Sequence, residues 1–137
     1  MQRNWLLPLL LFIGLYIFVS QGLKGGPEIA GDELVKLLQG EPRPVLLDLR
    51  ARAHCEAGHI AGALCVPAGE IKERLESLKL PKQEAVVLYG DDDARVREVT
   101  RLLYESGYQG ALTLRGGVAA WRAAKQPLIE PPAAAKP

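Results

Sequence analysis

VVLYGDDDAR, residues Val86–Arg95, is the stretch on which the reading of this chain turns. An apolar, strand-like run stops at Gly90. Three aspartates follow, and a helical pattern then opens. A strand end facing a helix N-terminus is where an open α/β sheet places its ligand, because the unpaired N–H groups and the helix dipole point at it. The corner has the build of an anion site, yet its side chains are carboxylates and none is a nucleophile.

The flanking segments repeat the same alternation. Downstream, Val96, Val99 and Leu103 recur at helical spacing, and Gly107 closes that helix. Ala111–Leu114 reads as a further strand, and Arg115-Gly116-Gly117 as a tight turn into a helix carrying Trp121. Upstream, Ile71, Leu75 and Leu78 stripe a helix that Pro81 ends. Val45–Leu49, apolar but for Asp48, is a short run of the kind covered on both faces of a sheet. Between them, AHCEAGHIAGALCVP (residues 53–67) gives a short helical turn, a Gly58-His59 corner and a brief strand at Leu64–Val66. Gly31–Gln39 sets Leu34, Leu37 and Leu38 on one helix face, with Asp32 and Glu33 in the first turn, where they suit the dipole. Strands alternating with helices predict a mainly parallel sheet with helices on both faces.

Of the 137 residues, 48% are hydrophobic and the formal charge is +1. That balance gives no electrostatic reason to expect nucleic acid as a partner. Two cysteines, Cys55 and Cys65, are too few for a disulfide scaffold, and their spacing matches no zinc motif, so neither a metal nor another cofactor is expected. Residues 1–23 are expected to form a transmembrane anchor, apolar throughout from Trp5 to Val19 and extended through Ser20, Gln21 and Gly22 to Leu23; a cleaved signal peptide is the competing reading. Residues 24–27 then form a linker, 28–128 the domain, and 129–137 a disordered tail rich in Pro and Ala. Arg3 on one side of the anchor and Lys24, Glu28 and Asp32 on the other lean towards a cytoplasmic N-terminus by a single charge, which leaves the side of the domain open.

Asp48-Leu49-Arg50, followed by Gly58-His59-Ile60-Ala61-Gly62-Ala63 and Pro67, resembles the first signature of the rhodanese domain. Leu114-Arg115-Gly116-Gly117-Val118-Ala119-Ala120-Trp121 resembles its last. The resemblance implies an α/β, rhodanese-like fold: a five-stranded, mostly parallel sheet flanked by helices, here preceded by one N-terminal transmembrane helix. It also implies a chemistry, the transfer of sulfane sulfur from thiosulfate or another donor to a thiophilic acceptor through a cysteine persulfide. That cysteine would open the loop after Ala85–Tyr89 in a C-x-x-x-x-R pattern. Here the loop reads Gly90-Asp91-Asp92-Asp93-Ala94-Arg95, with the arginine present and glycine where the cysteine would stand.

Glycine has no atom to hold sulfur, so no persulfide can form at position 90. The carboxylates also oppose thiosulfate, by about 1 kcal/mol per close charge pair in water. No catalytic residue is therefore expected. Gly90 to Arg95 form a candidate binding loop, and Asp48, Arg50 and His59 are structural residues beside it. The acid run has three readings. One carboxylate fills the anion site by accepting N–H groups while another pairs with Arg95; or the run is a helix cap with a solvated tip; or it holds a divalent ion. The function that follows is a non-enzymatic, single-pass module of a bacterial inner membrane that docks a protein partner. The alternative is sulfur transfer by Cys55, Cys65 or a partner's cysteine. A Cys55–Cys65 disulfide is compatible with an exported domain.

Overall fold

Five strands run parallel in the order β1-β5-β4-β2-β3: β1 (Glu28–Ile29), β2 (Val45–Asp48), β3 (Leu64–Cys65), β4 (Val86–Tyr89) and β5 (Ala111–Leu114). The structure, a computed structural model, describes residues 6–24 and 27–130. Along β4 the side chains alternate between two cores. Val86 and Leu88 face one, Val87 and Tyr89 the other, and all four are fully buried. Helices α4 (Ile71–Leu78) and α5 (Asp93–Glu105) close the first core with Ile71, Val96, Val99 and Leu103. Helices α2 (Gly31–Leu38) and α6 (Gly117–Ala123) close the second with Leu34, Val118 and Trp121. Burying each large apolar side chain stabilises by about 1.5–3 kcal/mol, which is why the central strand must be apolar on both faces.

The register positions the site. Asp48 lies opposite Tyr89, and Leu49 N donates to Tyr89 O at 2.9 Å, so the chain leaving β2 runs beside the chain leaving β4. Helix α3 (Arg52–Ala57) follows directly and lies beside that corner.

Three elements differ from the sequence expectation. β1 is a strand only because Glu28 and Ile29 pair with Thr113 and Leu114; two residues are too short to show a period of two. Helix α4 stops at Lys79, which takes a left-handed conformation (φ 50°), before Pro81 is reached. The expected disordered tail from residue 129 begins too early. Ile129 pairs with His59 through N···O bonds of 3.0 and 2.6 Å, and Trp121 Nε1 donates to Pro127 O at 3.0 Å. The apolar composition of the segment does not reveal these backbone partners. The tail from 131 onward lies outside the described residues.

At the N-terminus, α1 runs Leu6–Lys24, with its side chains described over 6–17. Among the described residues no helix is long and apolar enough to cross a membrane, so the expected transmembrane helix is not part of the described fold. The interfacial role expected for Trp5 and the hinge at Gly25 and Gly26 lie outside the described residues.

Candidate functional site

Gly90 follows β4 as buried backbone. Asp92 is extended (φ −120°, ψ 104°) and caps α5, its Oδ1 accepting from Ala94 N at 3.0 Å. Asp93 turns away: its Oδ2 accepts the Gly116 amide at 2.8 Å and lies 3.8 Å from Arg97 Nη2. The loop is thereby tied to the β5–α6 turn. There Gly116 and Gly117 are both left-handed (φ 78° and 56°), and a Cβ on Gly117 would overlap the Gly90 carbonyl oxygen. Side-chain-free backbone at 117 is therefore required for the two loops to meet.

On the other side of the cleft stands a buried ion pair. Arg50 donates from Nε to both Asp48 oxygens (3.0 and 3.2 Å) and from Nη2 to Oδ2 (2.7 Å), and its backbone N donates to Oδ1 at 3.0 Å. Nη2 also donates to Gly58 O. Hydrogen bonding to Asp48 holds the Arg50 guanidinium above its ordinary range, against the opposing effect of burial. Asp48 is fully buried and Arg50 is 6% exposed, so each needs the other. Burial pushes the Tyr89 phenol up; its oxygen accepts from Ile60 N at 3.0 Å and ties β4 to the corner after α3.

Leu49, Arg50, Gly90, Asp91, Asp92, Arg95 and Val96 line a cleft of about 180 Å³ at the strand ends. The structure so brings together four of the six loop residues singled out from sequence. Ala94 lies on α5 outside the cleft lining and Asp93 belongs to the Gly116 contact. Asp48 sits under Arg50, and His59 lies off the cleft, its Nδ1 2.9 Å from Cys55 O. The pairing expected between Arg95 and a loop aspartate is not the one made. Arg95 Nη1 instead lies 3.7 Å from Glu98, one helical turn on, where α5 carries both side chains outward. Asp91 is exposed and reaches His54 Nδ1 at 3.8 Å, a rim residue the sequence did not single out. Glu28 was also unforeseen. It accepts from Arg97 (2.8 Å) and Arg115 (3.1 Å), and the Arg97 bond holds its carboxyl below the ordinary value. No local pattern could mark these partners, which lie 69 and 87 residues away.

A larger groove of about 360 Å³ runs between the 3-10 turn Ala68–Glu70 and α5 and shares Arg95. Its charged groups lie along helix surfaces, whereas the smaller cleft is formed where two strand ends meet the start of α5, so the strand-end cleft is the better candidate. Within that cleft the Arg50 charge is already matched by Asp48, and Asp91 and Asp92 outnumber Arg95. The balance disfavours an anion and suits a ligand that donates hydrogen bonds or carries positive charge. The two cysteines of the chain are joined as a Cys55–Cys65 disulfide, Cα–Cα 5.8 Å.

Comparison with known proteins agrees with this architecture. A "Sulfurtransferase" of Allochromatium vinosum is 33% identical over 104 residues, spanning 76% of this chain and 95% of the relative. A tRNA uridine(34) hydroxylase of Protochlamydia amoebophila is 33% identical over 99 residues, 68% of this chain; the chain spans about a third of that relative's length (31%). The solved structure of a human single-domain sulfurtransferase superposes with a TM-score of 0.63 at 30% identity, over 72% of this chain and 97% of that one. The rhodanese-like domain family matches residues 31–124, which take in the paired signatures, the β2 and β4 strand ends and the cleft between them, and the chain belongs to that family.

Proposed function

We propose that this domain carries no sulfur on its strand-end loop and works as a binding module, held at a membrane by α1 and docking a protein partner through the cleft rim. One observation carries the reading. The cleft floor at Gly90 is bare backbone, and the two thiols the chain could otherwise offer are joined to each other. Sulfane transfer by an enzyme persulfide needs an ionised thiol, and neither place supplies one. For membrane attachment the support is the surface of α1, where Leu6, Leu7, Leu10, Leu11 and Phe12 are 55–74% exposed and leave an apolar face without a protein partner to cover it among the described residues. An anchor of this kind raises the local concentration of a membrane partner without adding contacts.

Sulfur transfer is the second reading. It is favoured by the name of the Allochromatium relative and by Cys65, which is only half-buried. Intact-mass measurement of the full chain after exposure to thiosulfate, with and without prior reduction, separates the two. No mass gain in either state is the expected result. A gain of one sulfur that Cys55→Ser or Cys65→Ser removes would establish the enzyme instead.

A further inference from the structure

Cys55, His59 and Cys65 form a cluster away from the cleft. A ring nitrogen of His59 and the two sulfurs all lie within 4.8 Å of one another. We propose that, once the disulfide is reduced, these three side chains hold a zinc-class divalent ion, so that the site alternates between a disulfide and a metal.

The backbone places the three ligands without help from the sulfur–sulfur bond. Cys55 sits in α3, whose amide is held by Ala51 O at 3.1 Å. His59 is fixed by its two bonds to Ile129. Cys65 lies on β3 in register with Asp48. With Zn–S near 2.3 Å and tetrahedral angles, two thiolates stand about 3.8 Å apart, a separation the sulfurs take up by side-chain rotation once their bond is broken. The donor set is two sulfurs and an imidazole, which suits zinc and excludes calcium or magnesium, since these take oxygen ligands. In sequence the ligands read C-x3-H-x5-C, a spacing that only the fold turns into a cluster.

Charge gives a second reason. Cys55 is fully buried. Two thiolates alone would be costly to hold there, whereas two thiolates with a divalent cation and a neutral imidazole are neutral overall. His59 Nδ1 lies 2.9 Å from Cys55 O, an acceptor, so that nitrogen carries the proton. The lone pair of the neutral ring is then on Nε2; a metal held there would keep the Nδ1 bond as an orienting contact, and a metal held at Nδ1 would replace that bond. Three protein ligands leave a fourth position for water or a partner's side chain. The exchange balances. A dithiol reductant delivers two electrons and two protons to the disulfide and is itself oxidised to a disulfide. Zinc then displaces the two thiol protons to solvent.

The test is titration of the full chain in detergent, anaerobically, with cobalt(II) and then zinc, before and after reduction. The reduced protein should bind one cobalt with a thiolate-to-cobalt charge-transfer band that zinc removes, and the oxidised protein should show none. His59→Ala should weaken cobalt binding by about tenfold or more, and Cys55→Ser or Cys65→Ser should abolish the band. Should the serine variants not fold, zinc must still shield both thiols of the reduced parent protein from alkylation. A reduced protein with no band, an affinity unchanged by His59→Ala, or thiols alkylated equally fast with and without zinc would each overturn the proposal.

Discussion

Replacing Gly90 by cysteine would put a thiol at the floor of the cleft, and the structure sets what the change costs. Backbone strain does not enter, because φ at Gly90 is outside the left-handed region. A Cβ there would meet Leu49 Cβ at 3.8 Å, an ordinary contact, and Val96 Cγ2 at 3.1 Å, a tight one. Val96 is 2% exposed and packed in the α5 core, so it must move by a few tenths of an ångström. Overpacking of that size costs about 1 kcal/mol, or about 4–8 °C in Tm for a domain of this length. The helix N-terminus favours the thiolate. Asp91 and Asp92 oppose it by about 1 kcal/mol each at 4 Å in water, so the introduced thiol is only partly ionised at neutral pH. Gly90→Cys should therefore melt a few degrees lower and accept sulfur slowly from thiosulfate. Adding Asp91→Asn and Asp92→Asn, which keeps a capping side chain at 92, should speed loading by about thirtyfold, since together they relieve about 2 kcal/mol and 1.4 kcal/mol is a factor of ten. Thermal melts and intact-mass kinetics, with the label mapped to the loop peptide, read both effects. A Gly90→Cys protein that melts as expected yet takes up no sulfur in the asparagine background would refute the reasoning. So would a parent chain that loads equally well.

Other outcomes follow from the same geometry. Asp48→Ala leaves Arg50 buried without its counter-charge and should cost about 3–5 kcal/mol by urea unfolding; a loss below about 1 kcal/mol would show that the pair is not the support described. Gly117→Ala places a methyl on the Gly90 carbonyl at a left-handed φ, and should cost more than the roughly 1 kcal/mol of an unstrained glycine change; a hydrogen-exchange map should show the 90–95 loop loosened, and a loop as protected as the parent's would count against the contact. Glu28 titrates below its ordinary 4.5, so its contribution is complete above that pH and fades as pH falls through the lower folded value. Glu28→Gln should thus cost about 0.2–1 kcal/mol at neutral pH and nearly nothing in melts at about pH 2; a gap that persists unchanged at the acid end would contradict the sign.

Periodicity alone determined the strand–helix alternation, the apolar central strand and the corner at Gly90, because burial on two sheet faces imposes its pattern residue by residue. Resemblance of the two signatures added the family, and the helix-cap reading of the acid run, one of the three open to it, needed only its place before a helix; that Asp92 is the residue that caps came from the structure. What each remaining charge does was decided by the tertiary structure. Asp91, Asp92 and Asp93 are adjacent and chemically identical, yet one is exposed at the rim beside His54, one caps α5, and one reaches across to Gly116. Arg95 could equally have faced the loop; the start of α5 turns it towards Glu98. The two-residue strand β1, the Ile129 bridge and the Cys55–His59–Cys65 cluster arise in the same way. Each depends on groups brought together by the fold, and a linear pattern reports a residue's own environment but not the identity of a partner distant along the chain.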